Sequence, residues 1–214
     1  MSDLFLDFES LAARDRYKLI TATIVPRPIA LVTTRNADGG TNCAPFSFFN
    51  VFSEDPPLVV LGLQSRPDFK LKDTTENIRR SGEFVVHMVD ESIVEAMVLC
   101  AANFPPGVSE IPAAGFTLER SPKVDVDRIL EAPFSFACRR VTVLQFAKTR
   151  DLAIGEILGL SARDGLIEEA TLRVNWAAYH PVGRLFASHY TRTRDRFSHD
   201  IPSLAEIDTF DQAE

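Results

Sequence analysis

The 214-residue sequence predicts a mainly β protein with a few helices: an antiparallel barrel, closed or nearly so, with the helices packed outside. Three observations predict it. Apolar and β-branched runs are short and end at Asn/Asp/Gly or Pro stops. Most successive runs are close enough to pair as hairpins. There is no regular βαβ alternation and no GxGxxG, which disfavours a doubly wound dinucleotide fold. With no internal repeat and no Gly/Ser-rich linker, one domain is expected over 1–195, followed by an acidic tail over 196–214.

The elements read as follows. A short helix is expected around Glu9–Leu19. Pro28-Ile29-Ala30-Leu31-Val32-Thr33-Thr34 is a strand, and Asn36-Ala37-Asp38-Gly39-Gly40 is a turn because Asn, Asp and Gly tolerate positive φ. The chain returns through Thr41–Ala44, so 28–46 is a hairpin. Pro56-Pro57 stops the next segment, and Leu58–Leu63 is a buried strand. Asp68–Arg80 reads as a helix, with Asp73 and Glu76 spaced as a capping box and Gly82 suited to the left-handed position after its end. Glu83–Val89 is a strand. Glu91–Ala102 is a second helix, with Ser92 and Glu95 as its capping pair and Ile93, Met97 and Cys100 at helical spacing. Residues 104–132 read as irregular, with an extended piece at Gly115–Glu119. Phe134–Phe146 and Leu152–Ser161 are long strands, Asp164-Gly165 is a turn, and Arg184–Tyr190 is a short extended run.

Composition narrows the function. The chain is 45% hydrophobic and 25% charged, with a formal net charge of -7. An acidic envelope argues against nucleic acid as a partner. No apolar run approaches the roughly 18 residues of a membrane span. The acidic start, Met1-Ser2-Asp3-Leu4, lacks the basic region of a secretory signal, so a cytoplasmic protein is expected. Cys43, Cys100 and Cys138 are odd in number and far apart, which predicts reduced thiols. His87, His180, His189 and His199 have no metal-ligand spacing. A phosphate-bearing ligand would therefore need a local basic site.

Three segments could provide chemistry. In Val25-Pro26-Arg27-Pro28, two prolines fix a basic residue at a strand start; it is either a solvated Arg or a ligand contact. Asn42–Phe52 packs four Phe into seven positions, broken by Ser47 and Asn50. It is either an aromatic core plug or a rim where polar groups meet a flat heterocycle. Gln64–Thr75 places Ser65, Arg66, Lys70 and Lys72 before or at a helix start: a solvated helix end, or an anion site built from free amides and cations. Together they are compatible with a nucleotide or a flavin.

Several motifs carry a resemblance. Pro26-Arg27-Pro28-Ile29-Ala30-Leu31-Val32-Thr33-Thr34, Asn42-x-Ala44-Pro45-Phe46-Ser47-Phe48-Phe49-Asn50, Asp55-Pro56-Pro57-Leu58, Lys72-Asp73-Thr74-x-x-Asn77-Ile78, Phe104-Pro105-Pro106-Gly107-Val108-Ser109-Glu110 and Pro181-Val182-Gly183-Arg184-Leu185 stand in order. Across roughly 15–195 the chain resembles the flavin reductase-like family, FMN-binding split barrels related to flavoredoxin and to the reductase component of nitrilotriacetate monooxygenase. The resemblance implies an antiparallel, Greek-key-like split barrel that forms a homodimer and binds FMN, with FAD as the alternative. It implies NAD(P)H as electron donor; the acceptor is left open among free flavin, a paired monooxygenase and a small organic molecule. Pro45, Phe46, Ser47, Phe48, Phe49 and Asn50 would lie along the flavin, and Thr33 beneath it. Ser65, Arg66, Lys72 and Thr74 would surround its phosphate with Arg27 among the cations, and Tyr190 would stand near the ring. His189, next to Tyr190, is either near the ring or a surface histidine. No catalytic side chain is expected, because the cofactor carries hydride chemistry. Many members of the wider family place an Asp-His pair before a Gly-Glu strand; here Asp151 is followed by Leu152. Flavin binding therefore carries over more firmly than a nicotinamide-driven reductase, and an FMN-holding electron carrier is the competing reading.

Overall fold

The computed structural model describes residues 3–203 and 207. Much of the acidic tail therefore lies outside the described residues. The helices and strands in chain order are α1 (Ala13–Thr23), β1 (Ala30–Arg35), β2 (Thr41–Phe46), β3 (Phe49–Glu54), β4 (Pro57–Gln64), α2 (Asp73–Ser81), β5 (Glu83–Met88), α3 (Val94–Leu99), α4 (Ile111–Ala114), β6 (Leu118–Arg120), β7 (Asp127–Ile129), β8 (Phe134–Ala147), β9 (Arg150–Ala162), β10 (Ile167–Glu168), β11 (Arg173–Val174), β12 (Val182–Arg184) and β13 (Tyr190–Arg192).

Seven strands form one antiparallel sheet in the order β2-β1-β5-β8-β9-β4-β3. Its two edge strands, β2 and β3, are consecutive in sequence and separated only by Ser47 and Phe48. The sheet must therefore curl until its edges meet there. At that seam the Gly62 amide donates to the Phe48 carbonyl at 2.7 Å. A Cβ on Gly62 would stand 2.9 Å from the Phe48 Cβ, so the close approach requires glycine.

Both faces of β1 are buried, which explains its unbroken apolar run. Ala30 and Val32 pack with Val59, Leu61, Ile78, Phe84 and Cys138. Ile29 and Leu31 point the other way, toward Met97, Cys100, Ile129 and Val182. Gly155 on β9 leaves room for the Phe84 ring, whose Cζ would lie 2.3 Å from an added Cβ. His87, fully buried on β5, faces the Leu31 carbonyl through Nδ1 at 2.8 Å and accepts from the Ile129 amide at Nε2. Burial holds this imidazole neutral and lowers its pKa to about 4.

Several local expectations need correction. The first helix runs four residues later than the sequence suggests. The helix expected from Asp68 starts only at Asp73, because Phe69 adopts a positive φ of 67° and the Arg66 amide closes a turn on the Lys70 carbonyl. Lys72 occupies the cap position without a side-chain cap. The Asp73 carboxylate instead accepts from Arg66 and from the Gly107 amide, so the long-range loop outcompetes the local capping box. Ser92 likewise donates to Asp90 rather than capping, and α3 spans only Val94–Leu99. The Phe-rich segment is a core plug only in part: Phe46 and Phe49 pack against the core, Phe48 and Phe52 are exposed, and from Phe49 the chain is the edge strand β3. The irregular stretch 104–132 contains α4 and the β6–β7 pair. Arg184–Tyr190 is the turn of a β12–β13 hairpin rather than one strand. Gly82 does end α2 in the left-handed region, at φ 75°, as read from sequence.

Candidate functional site

Two adjoining cavities open where the barrel edges meet. Pro45, Phe46 and Ala101 belong to both walls. The larger cavity, about 670 Å³, lies between the end of β2, the β4–α2 connection and the segment after α3. That volume is within the roughly 300–1,000 Å³ of ligand sites.

A buried polar network positions its walls. Asn77 on α2 donates to the Thr34 hydroxyl at 3.0 Å and to the Asn36 side-chain carbonyl at 2.7 Å. Asn42 donates to Thr34 at 3.2 Å and to Thr74 at 2.9 Å. The β1–β2 hairpin thereby fixes the first turn of α2 against the cavity. Ser65, buried, and Arg66, Lys72 and Thr74 all line it. So do Asp68, Asp73 and Glu110. Arg66 pairs with Asp73 at 2.9 Å. Glu110 accepts from the Cys43 amide at 2.8 Å, and burial raises its pKa, with the Asp73 charge contributing further. Cys43 and Cys100 sit together beside it; burial and the neighbouring thiol raise the Cys43 pKa well above its ordinary value. Both are buried free cysteines, as is Cys138.

The smaller cavity, about 200 Å³, draws Tyr17, Arg27, Ile29, Ser47, Met97, Arg184 and Tyr190 to one place. The buried Arg27 guanidinium donates to the carbonyls of Thr21 and Ile24, each at 2.7 Å, and of Leu185 at 2.6 Å. A longer bond at 3.4 Å reaches the Ser47 hydroxyl. Burial lowers the pKa of this guanidinium. Arg184 lies 4.5 Å over the Tyr190 ring and donates to its hydroxyl.

The structure thus redistributes the sequence-derived site. Ser65, Arg66, Lys72 and Thr74 are brought together, and Pro45 and Phe46 stand between the two cavities. Arg27 does not join the Arg66 and Lys72 group; with Ser47 and Tyr190 it belongs to the smaller cavity. Lys70 lines neither cavity and pairs with Asp68 in solvent. Thr33 is another correction: it lines neither cavity, because its hydroxyl is turned to the Asp127 carbonyl at 2.7 Å. Phe48 is exposed, with its ring 6.2 Å from Tyr17. Phe49 packs against the barrel core, and the Asn50 side chain bonds the next amide from an exposed position. His189 is exposed beside Phe186 and lines neither cavity. Asp151 is buried and paired with Arg79 at 2.9 Å. Sequence reasoning missed Asn42, Glu110 and Arg184 as wall residues, although all three stand inside the motifs that carry the resemblance.

The fold and cavities have relatives. The sequence matches the family described as "Flavin reductase like domain" over residues 22–183. Among solved structures, the chain is similar to 2-nitrobenzoate 2-nitroreductase of Pseudomonas fluorescens, at 41% identity and a TM-score of 0.86, covering 94% of this chain and 98% of that one. It is also similar to nitrilotriacetate monooxygenase component B from Bacillus cereus, at 33% identity and a TM-score of 0.87, covering 93% and 100%. An uncharacterized protein of Aquifex aeolicus is 40% identical over 178 residues, 82% of this chain and 89% of its own length. With the family matched over residues 22–183, which hold most of the barrel, its edge seam and the wall of the larger cavity, the chain belongs to the flavin reductase-like family.

Proposed function

We propose that this chain is an FMN-binding oxidoreductase, an NAD(P)H-dependent flavin reductase that works as a cytoplasmic homodimer. The observation that supports it most is the larger cavity: Ser65 and Thr74, the cations Arg66 and Lys72, and the first turn of α2 line one volume large enough for a mononucleotide. This donor set fits a phosphate. The nearby acids do not forbid it, because Asp73 is paired with Arg66, Asp68 with Lys70, and burial raises the Glu110 pKa. FAD is the alternative flavin.

When bound, the flavin would supply a hydride acceptor at N5 for a nicotinamide donor. The chain's own residues would do the rest. Ser65, Lys72 and Thr74 would hold the phosphate, while Arg66 is steadied by Asp73. Pro45 and Phe46 would form an apolar divider that keeps water from one side of the ligand. Exposed apolar side chains on the edge strand β3, Val51 and Phe52, and on β8, Val141 and Phe146, support a second copy as partner. The acceptor is a monooxygenase partner or a small molecule, and the likeness to component B and to the nitroreductase supports one each.

One observation favours the electron-carrier reading. Asp151 has no histidine after it and is locked to Arg79, so it is not available to a nicotinamide. Anaerobic titration of the purified, FMN-loaded protein separates the two. Bleaching by NADH or NADPH alone within seconds supports the reductase; reduction only after adding a second reductase supports the carrier. A protein that takes up neither FMN nor FAD overturns both.

A further inference from the structure

The smaller cavity contains two cations and no anion. Arg27 is only 7% exposed, and its N–H groups are met by three carbonyls and a hydroxyl. Arg184 donates to the Tyr190 hydroxyl and the Ala187 carbonyl, which uses two of its five N–H groups. These neutral acceptors satisfy hydrogen bonds but cancel no charge. Neither arginine has a carboxylate partner among the described residues, and no Asp or Glu lines this cavity. The two are close enough that the Arg184 charge bears on Arg27. With Arg27 buried, a like charge beside it is costly until an anion completes the site.

The walls indicate which anion. Phe46, Tyr17 and Tyr190 supply aromatic surface, and Ile29 and Met97 supply apolar surface. At about 200 Å³, the cavity is smaller than the roughly 300 Å³ at which pockets begin to take drug-sized ligands, so a nucleotide is excluded and a single ring is not. We propose that this cavity binds a small planar aromatic carboxylate, whose carboxylate is taken by the free N–H groups of Arg184 with the Arg27 charge behind it. Its role as the place of the electron acceptor, one wall away from the flavin cavity, rests on the flavin reading above; the binding itself does not.

The test is calorimetric titration of benzoate, benzamide and inorganic phosphate into the full-length protein, as purified and after loading with FMN. Benzoate is expected to bind one site per chain. Benzamide, with the same shape and no charge, should bind at least about tenfold more weakly, the worth of a charge-assisted hydrogen bond. Phosphate should be weaker than benzoate, since it leaves the aromatic walls unfilled. Arg184→Met should weaken benzoate by about tenfold or more, and Arg184→Lys, which keeps the charge but not the fork, should weaken it less. Equal affinity for benzoate and benzamide, tighter binding of phosphate, or no benzoate binding would overturn the proposal. The ligand comparison uses the wild-type chain, so it stands even where a variant fails to fold. Benzoate binding to a protein that takes up no flavin keeps this subsite and removes the flavin reading; flavin uptake without benzoate binding does the reverse.

Discussion

The two cavities share a wall but solve the charge problem in opposite ways. In the larger one, Arg66 and Lys72 are interleaved with Asp68, Asp73 and Glu110, so cations and acids compensate one another. In the smaller one, Arg27 and Arg184 face each other's field with only neutral acceptors. They also differ in origin. Most of the larger cavity comes from two contiguous stretches, 42–46 and 64–74, with the segment after α3 closing it. The smaller one gathers residues from position 17 to position 190. A mixed-charge wall tolerates loss of one cation gracefully. An arginine that ties the end of α1 to Leu185 through three carbonyls does not.

That contrast can be broken most directly at Arg27. Arg27→Met would strand the carbonyls of Thr21, Ile24 and Leu185 in a buried site. A loss of about 3 kcal/mol or more is expected in urea unfolding. A loss under about 1 kcal/mol would mean that Arg27 is no tie between α1 and the β12 loop.

The strand floor beneath both cavities should respond to pH almost as strongly. His87 is buried neutral with a pKa of about 4, whereas an unfolded histidine titrates near 6.5. Its contribution is fully present above pH 6.5 and is lost as pH falls toward 4, because the unfolded chain takes up the proton first. The loss amounts to about 3 kcal/mol across that window. Unfolding free energies measured from pH 7 to 4 check it, and His87→Gln should flatten this part of the profile.

At the larger cavity, Lys72→Ala should weaken FMN binding by about tenfold, with a shallower salt dependence. Lys70→Ala should change it by less than about twofold, since Lys70 is 79% exposed and lines neither cavity. Equal effects would show that a diffuse basic field, rather than this wall, attracts the phosphate. The smallest change is expected at Glu110. Burial raises its pKa, so it takes up a proton more readily than a free glutamate as pH falls and its charge is lost sooner. Glu110→Gln keeps an acceptor for the Cys43 amide and removes the charge. It should tighten FMN binding by about twofold to threefold at pH 7, and by less near pH 5; fluorescence titration at both pH values reads this.

Much of the barrel was legible before the structure. The hairpin turn at Asn36–Gly40, the α2 stop at Gly82 and the long β8 and β9 strands follow from local rules about φ, alternation and length. The larger cavity was legible in part for the same reason: Ser65, Arg66, Lys72 and Thr74 are near neighbours in sequence. What failed were local rules outbid by distant partners. Asp73 had the spacing of a capping residue, but Arg66 and the Gly107 amide claim its carboxylate. Thr33 was read toward the ligand, but β7 lies on that face and takes its hydroxyl.

By itself, then, the sequence determined the first hairpin, the β4, β5, β8 and β9 strands, the barrel class and the grouping of Ser65, Arg66, Lys72 and Thr74, because those depend on residues within a few positions of one another. The tertiary structure alone decided that Arg27 and Arg66 line different cavities, that Glu110 stands among the cations, and that Arg27 and Arg184 meet across 157 positions with no carboxylate partner among the described residues. Closing the sheet on Ser47 and Phe48 sets those neighbours, and no local propensity encodes which side chains a closed barrel brings face to face.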